Sequence, residues 1–292
     1  VGSLAVVIGK HFQNYLNGFV PIWMADMKNF HEIEDCTITI NLIQDISSGL
    51  KGQFKLLEND IMGIIMNHLT NRELDSSLKP VVVAAISEIA LVLEMNIVPY
   101  ITRICPILEF LASYNANPEN EEDVDYMNNL RESILIAYSG LIQGPKMNPP
   151  RELLDHMDGL QKLLFKVSDD ELTYADVFAT ALSVIGDLAN VYKDAVRQLL
   201  YDPFIDNMIA KGCANKEYRI YKEARYARKE RRALDPQQHF QQQPPPHHQG
   251  GPYPPPHHQG GPPPPHHQGG PPPPHHQGGP PPPHHQGGPP PP

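Results

Sequence analysis

An acidic residue recurs in the same apolar helical context at long, regular intervals along the first part of this chain. The first and second of these acids are 43 residues apart, and the second and third are 99 apart, close to two periods plus a long loop. A period of about 40–47 residues with two helices per unit is the signature of HEAT-type repeats. The acids are Asp45 in INLIQDIS at 40–47, Glu88 in AAISEIAL at 84–91 and Asp187 in LSVIGDLA at 182–189.

The helical periodicity between these stretches predicts paired antiparallel helices in which every second, inner helix is nearly all apolar. Gly140, in AYSGLIQG at 137–144, takes the place of the acid in a fourth inner helix. We therefore predict an all-α fold, an α-solenoid of about five HEAT repeats over residues 1–234, with an irregular helical bundle as the alternative. The predicted helices cover 11–29, 33–50, 53–70, 77–94, 97–113, 124–144, 151–167, 173–192, 195–210 and 213–234.

The composition changes completely after the last predicted helix. Residues 235–292 repeat PPPPHHQGG, and 23 of the 33 prolines fall within 244–292. A segment with so few apolar side chains cannot offset the entropy of folding, so we predict a disordered tail with polyproline II stretches. Nine residues of polyproline II span about 28 Å, so neighbouring His doublets do not share a metal ion unless the chain bends at Gly-Gly. We predict no metal site and no cofactor.

The charge distribution indicates the kind of partner. Residues 1–210 carry 14 Lys and Arg against 29 Asp and Glu, whereas 211–232 carry nine basic and three acidic residues. An acidic body repels phosphates, which argues against direct nucleic-acid binding and favours a basic protein partner. The basic last helix is interpreted as a terminal cap with one solvated side, and the alternative is a nucleic-acid or localisation patch.

No catalytic motif is present, so we predict that the chain is not an enzyme. The three cysteines show no metal or redox spacing, which predicts a reduced intracellular compartment. The longest apolar run, at 81–86, is far shorter than the roughly 18 residues of a membrane span, so no membrane insertion is expected. The chain begins with Val inside an apolar helical pattern, which predicts a fragment of a longer protein.

Acidic residues gather at the starts of inner helices. The helix dipole favours negative charge there, so capping and solubility are one explanation. The other is a surface that clamps a Lys/Arg-rich helix, which gives fast, salt-sensitive association. The excess of acid favours the clamp, and its predicted contact residues are Asp123, Asp125, Glu132, Asp169, Asp170 and Asp176.

Three other sets of residues have a structural explanation beside a functional one. The repeated acids Asp45, Glu88 and Asp187 are predicted to form a structural ladder that bonds loop or backbone donors in the next repeat, rather than an active site. Arg131 is predicted to be structural. Aromatic residues on the outer helices are mostly core, although Phe19 and Trp23 are a possible groove for an aromatic side chain of a partner.

Four stretches, in this order, resemble the C-terminal end of importin beta, a family of karyopherin nuclear transport receptors. They are YLNGFVPIWMADMKN at 15–29, SSLKPVVVAAISEIAL at 76–91, VDYMNNLRESILIAYSGLIQG at 124–144 and LSVIGDLANVYKDAV at 182–196. The resemblance covers nearly all of 1–234, about the last quarter of a full receptor. The N-terminal repeats of the family and any counterpart of the Pro/His tail are missing from the match.

The resemblance implies a receptor that shuttles between cytoplasm and nucleus. Its implied partners are the basic importin-beta-binding helix of importin alpha or basic cargo, Phe-Gly nucleoporins, and the GTPase Ran, whose main site belongs to the missing N-terminal repeats. Two other functional classes remain: a HEAT scaffold without a transport role, and a metal-handling protein acting through the His-rich tail.

Overall fold

The computed structural model describes residues 2–235, and the predicted disorder of the Pro/His tail concerns residues 236–292, which lie outside the described part. The described chain is helical throughout. Its α-helices are α1 (Gly2–Ile8), α2 (Leu16–Lys28), α3 (Ile33–Leu50), α4 (Glu58–Thr70), α5 (Leu78–Leu93), α6 (Val98–Ala112), α7 (Glu121–Gln143), α8 (Arg151–Leu154), α9 (Met157–Asp169), α10 (Ala175–Val191), α11 (Arg197–Leu200), α12 (Pro203–Ala214) and α13 (Tyr218–Ala233). Short 3-10 helices cover Gly9–Tyr15, Lys51–Leu57, Glu94–Ile97 and Lys193–Val196.

The helices form two layers. In layer 1, α1, α3, α5, α7, α10 and α13 pack side by side in that order. In layer 2, α2, α4, α6, α9 and α12 do the same, and each packs on a helix of layer 1. The predicted inner helices are therefore layer 1, and the α-solenoid architecture is confirmed. Because each helix contacts its nearest neighbours in the stack, one continuous apolar core runs between the layers.

Three helices of layer 1 end in the same way. A residue with positive φ follows the helix, and a 3-10 turn then leads to layer 2. These residues are Gly9 after α1 (φ 54°), Glu94 after α5 (φ 51°) and Lys193 after α10 (φ 51°). Only the first is glycine, so the other two hold a conformation that L side chains rarely adopt. The recurrence of this turn is a structural sign of the repeat.

Helices α5 and α7 approach each other very closely. A Cβ atom placed on Gly140 of α7 would lie 2.3 Å from the Cα of Ser87 in α5. Only glycine permits this contact, because real Cβ atoms do not approach backbone so closely. Gly140, which takes the place of the repeated acid, is thus required for the close packing of α7 on α5.

The predicted helix 195–210 is wrong, because the chain breaks between α11 and α12. Pro203 occupies the first turn of α12, and the Asp202 carboxylate accepts a hydrogen bond from the Phe204 amide at 3.2 Å, which caps the new helix. The predicted helix 151–167 is likewise divided into α8 and α9. The predicted start of the last helix was five residues early, since α12 runs on to Ala214 and α13 begins at Tyr218.

By length and composition alone, the segment Leu78–Ala112 is apolar enough to cross a membrane. It folds as α5 and α6, two helices separated by the turn at Glu94. Their apolar faces are buried in the core between the layers, and helices with such faces meet the same criteria of length and composition. Half of the most apolar 18-residue stretch of this segment is buried inside the fold.

Candidate functional site: an acidic groove between α5 and α7

A groove of about 650 Å³ runs along the face of layer 1 where α5 and α7 meet. Its apolar floor comes from both helices, and its α7 wall carries carboxylates and amides. The chain lines the groove with Asn41, Ser76, Ser77, Pro80, Val81, Ala84, Glu122, Asp125, Tyr126, Asn129, Glu132, Ser133 and Ile136. An apolar floor beside an acidic wall matches the two faces of a basic amphipathic helix.

The acidic wall follows from how α7 begins. The Asn120 side chain caps the helix by accepting from the amides of Glu122 and Asp123. Acidic residues in the first turn then interact favourably with the positive end of the helix dipole. From this start, Glu122, Asp125, Asn129 and Glu132 recur at spacings of three and four residues, which places them on one face of α7.

The two groove carboxylates predicted from the sequence accept hydrogen bonds from side chains in and just before α10 and in α13. The Asp125 carboxylate accepts a hydrogen bond of 2.5 Å from the Tyr174 hydroxyl, and this bond raises the pKa of Tyr174. Glu132 Oε1 accepts from the Thr180 hydroxyl at 3.1 Å and from Arg219 Nη2 at 3.1 Å. Asp125 is exposed and Glu132 is partly exposed, so both keep a side open to the groove.

Asp123 does not line the groove. Its carboxylate accepts from the Tyr114 hydroxyl and, at 2.7 Å, from the Asn117 amide, which ties the loop after α6 to the start of α7. The hydrogen bond to Tyr114 and that from the Asn117 amide lower the pKa of Asp123. The same contact raises the pKa of Tyr114 to about 12. In the structure, Asp123 therefore fastens the loop after α6 and lies outside the groove lining.

Asp170 also has an internal role. Its carboxylate pairs with Arg131 Nη1 at 2.7 Å and accepts from the Leu172 amide at 3.0 Å. Burial acts to raise the pKa of Asp170, but the hydrogen bonds from Arg131 and Leu172 outweigh it and lower the pKa. Because the Arg131 side chain is only 4% exposed, Asp170 neutralises a buried charge. Asp169 is exposed at the last residue of α9 and is not part of the groove lining.

Asp176 pairs with Arg219, the second residue of α13. The guanidinium of Arg219 also reaches Glu132, so one cation bridges α13, α10 and α7. Of the six predicted contacts, the structure brings Asp125 and Glu132 into the groove and places Asp176 beside it through Arg219. It assigns Asp123 and Asp170 to internal contacts.

Asp187 confirms a structural role for one of the repeated acids. Its carboxylate is buried and accepts from Ser139 at 2.6 Å, Gln143 at 2.7 Å and Tyr226 at 3.0 Å. Burial raises the pKa of Asp187, and the three hydrogen bonds offset part of that effect. The donors are side chains on both flanking helices, whereas loop or backbone donors in the next repeat were predicted.

The predicted outer groove at Phe19 and Trp23 is largely closed. Trp23 is 1% exposed, and its indole N–H donates to the Thr39 carbonyl at 2.7 Å. Phe19 is half-buried and stacks on Trp23 with 5.7 Å between the ring centroids. Trp23 is therefore part of the core and cannot receive a partner's side chain in this conformation, which leaves Phe19 as the accessible ring of the pair.

The sequence analysis identified neither the apolar floor of the groove nor Arg219, the residue of α13 that pairs with Glu132. Pro80, Val81 and Ala84 share a face of α5 at three- and four-residue spacing, so their side of the groove was readable once α5 and α7 were known to be neighbours. Arg219 lies 87 residues from Glu132, and no local pattern connects them. Within residues 2–235, no group of three or more His, Cys, Asp and Glu residues is placed to hold a metal ion.

Three comparisons bear on the family. The sequence profile described as "Importin subunit beta-1-like, TPR repeats" matches residues 1–213. Importin subunit beta-1 of Arabidopsis thaliana is 28% identical over 231 residues, which are 77% of this chain and 26% of that protein. Importin subunit beta-1 of Saccharomyces cerevisiae is 26% identical over 205 residues, covering 69% of this chain and 23% of that protein.

Solved structures agree. A crystal structure of importin beta in an ammonium sulfate condition is similar with a TM-score of 0.74 and 25% identity, over 80% of this chain and 28% of that one. The yeast protein Kap95p, solved with RanGDP and also in a complex with Nup1, is similar in fold, with a TM-score of 0.72 and 22% identity over 80% of this chain. The chain thus spans about a quarter of the length of the relatives it matches. By its profile match over most of its length, the chain belongs to the importin beta-1-like family.

Proposed function

We propose that this chain is part of a nuclear transport receptor and binds a basic amphipathic helix in the groove between α5 and α7. The observation that carries the proposal is the α7 wall, where Asp125 and Glu132 stand above a floor of Val81, Ala84 and Ile136. Such a groove takes the apolar face of a helix while its carboxylates pair with Arg or Lys along the rim. The role is binding, without catalysis.

The partner class follows from the family together with the groove. The importin-beta-binding helix of importin alpha, or a basic cargo segment, has the charge that the acidic wall requires. The excess of acid over residues 1–210 supports this choice, because it raises the local concentration of a basic partner at low salt. A HEAT scaffold without a transport role needs no such excess on one face, which makes it the weaker alternative.

Ran and Phe-Gly nucleoporins are proposed as further partners of the whole receptor, with shuttling between cytoplasm and nucleus as the consequence. The support is that the related Kap95p has been solved with RanGDP and with Nup1. A nucleoporin Phe would meet layer 2, where Phe19 is accessible beside Trp23. Phe110 of α6 and Phe165 of α9 are more exposed, at 76% and 51%, and are better candidates for that contact.

Fluorescence anisotropy tests the groove directly. A labelled amphipathic helix of about 20 residues, with arginines on one face, is titrated with the full chain at low salt. The Asp125→Asn/Glu132→Gln variant should bind about tenfold more weakly, because two partly exposed ion pairs are lost. The matched control is Asp60→Asn/Asp158→Asn, which removes the same charge from exposed positions of layer 2.

Two results would count against the proposal. Equal weakening by the control and the groove variant would mean that net charge, and not the groove, sets the affinity. Absence of saturable binding at low salt would remove the basic helix as the partner of this chain.

A further inference from the structure

The acidic wall already holds a cation from the same chain. Arg219 in the first turn of α13 donates from Nη2 to Glu132 Oε1 at 3.1 Å and to the Thr180 hydroxyl at 3.2 Å. Its Nη1 pairs with Asp176. One guanidinium therefore fills the space between a groove carboxylate on α7 and a carboxylate on α10, the contact that an arginine of a bound basic helix would make.

Two other basic side chains of α13 make their contacts away from the groove. Arg231 pairs with Asp206 and donates to the Leu200 carbonyl at 3.2 Å, both contacts being made toward α11 and α12. Arg225 lies over the ring of Tyr221 within its own helix. In the part of the chain that the structure describes, Arg219 is the only basic residue paired with a carboxylate of the groove. This contact is thus specific to one position of α13.

We propose that Arg219 is a built-in competitor that sets the affinity of the acidic groove and its preference for arginine over lysine. The inference rests on the proposed function, because it concerns the same surface. A partner can form ion pairs with Glu132 and Asp176 only when its own cation displaces Arg219. With Arg219 in place, the groove therefore binds any basic helix with lower affinity than it would if its carboxylates were unpaired.

The exposure of the contact makes displacement feasible. The side chains of Arg219, Glu132 and Asp176 are 48%, 26% and 59% exposed. Ion pairs of this kind are screened by water and salt and contribute little, so a partner's cation can replace them at small cost. A buried ion pair would be costly to break, so a partner's cation could not readily replace it.

The planar guanidinium geometry accounts for the preference of the groove for arginine over lysine. A guanidinium presents donors in fixed directions and bridges two carboxylates and a hydroxyl, whereas an ammonium acts as a single point of charge. An incoming arginine reproduces all three contacts of Arg219, but an incoming lysine does not. Loss of Arg219 should therefore help arginine-rich partners more than lysine-rich ones.

The test uses the full chain and two labelled helices that differ only in carrying Arg or Lys on the charged face. In anisotropy titrations, Arg219→Gln should bind the Arg helix about three- to tenfold more tightly than wild type at low salt, since it frees two carboxylates. The gain should be smaller for the Lys helix and should vanish at about 500 mM NaCl. The matched control, Arg231→Gln, removes the same charge from α13 and should leave the affinity unchanged.

The outcomes separate the two proposals. Binding by wild type that Arg219→Gln leaves equal or weaker would overturn the competitor role while leaving the groove intact. No binding by wild type or by Arg219→Gln would overturn both. A gain of equal size in Arg231→Gln would also overturn the inference, because overall charge would then explain it. Arg219→Lys, which keeps the charge with less risk to folding, should fall between wild type and Arg219→Gln.

Discussion

The boundary between α5 and α7 and the boundary between α7 and α10 are built in different ways. At the first, Gly140 lets the two backbones approach closely, and no side-chain hydrogen bond or ion pair joins α5 to α7 among the described residues. The second is crossed by polar contacts of Asp125, Glu132 and Ser139, while Asn128 and Arg131 bond the segment that leads into α10. Arg219 extends the network to α13.

The difference is consistent with the proposed position of a partner in the groove between α5 and α7. Polar side chains of α7 on the α10 side make internal contacts, and these include the groove carboxylates Asp125 and Glu132, which accept from Tyr174 and Thr180. Those that face α5 have no partner across the boundary, and the groove opens on that side. The same helix thus makes its polar interhelical contacts toward α10 and lines the proposed binding groove toward α5, where the close apolar packing keeps the two walls in place.

The largest effect is expected from the glycine contact. Gly140→Ala should lower the free energy of unfolding by about 3 kcal/mol, because the added Cβ meets the backbone of Ser87. The control is Gly63→Ala in α4, where a Cβ meets no atom within 4 Å and helix propensity should improve. Urea unfolding midpoints measure both. Similar midpoints for the two variants would show that the close contact does not hold α5 to α7.

The contribution of the polar boundary to the free energy of unfolding should depend on pH, whereas that of the apolar boundary should not. Asp170→Asn should cost about 2 kcal/mol at neutral pH, because the buried guanidinium of Arg131 loses its charged partner. The pKa of Asp170 is below its ordinary value of 3.8, so the wild-type contribution is present above that value and is lost as the pH falls through the lowered pKa. Urea midpoints at several pH values should therefore converge for wild type and variant in acid. A constant difference would contradict the ion-pair explanation.

The contribution of Asp187 to folding stability should change with pH in the opposite direction. Its pKa is raised by burial, so its carboxylate opposes folding more as the pH rises through the folded pKa. Asp187→Ala should cost about 1 kcal/mol at neutral pH, since three lost hydrogen bonds are partly balanced by removal of a desolvated charge. Thermal unfolding at two pH values checks this, and a cost that grows with pH would contradict it.

The smallest effect is expected at the repeated turn. Glu94→Gly should stabilise the chain by about 0.5–1 kcal/mol, because glycine adopts the positive φ without strain. Leu91→Gly, at an exposed position inside α5, should instead destabilise it by about 1 kcal/mol. Urea midpoints of the two variants should therefore move in opposite directions, and a loss of stability in Glu94→Gly would show that the turn is not strained.

The sequence predicted the helical layers well, because the apolar periodicity of each helix directly reflects which side is buried. It failed at breaks set by single contacts, such as the cap at Asp202 before Pro203. For the site, charge and helix phase located Asp125 and Glu132. They could not separate these from Asp123 and Asp170, since all four are acidic residues in or next to the same helical segments. The partners of the latter two are fixed by tertiary packing.

The most direct test of the central claim is to locate a bound basic helix on the full chain. A benzophenone group on the apolar face of the arginine-rich helix is photo-crosslinked, and the sites are mapped by mass spectrometry. We expect crosslinks on both walls of the groove, at Val81 or Ala84 in α5 and at Ile136 or Tyr126 in α7. Crosslinks confined to layer 2 or to α13 would contradict it.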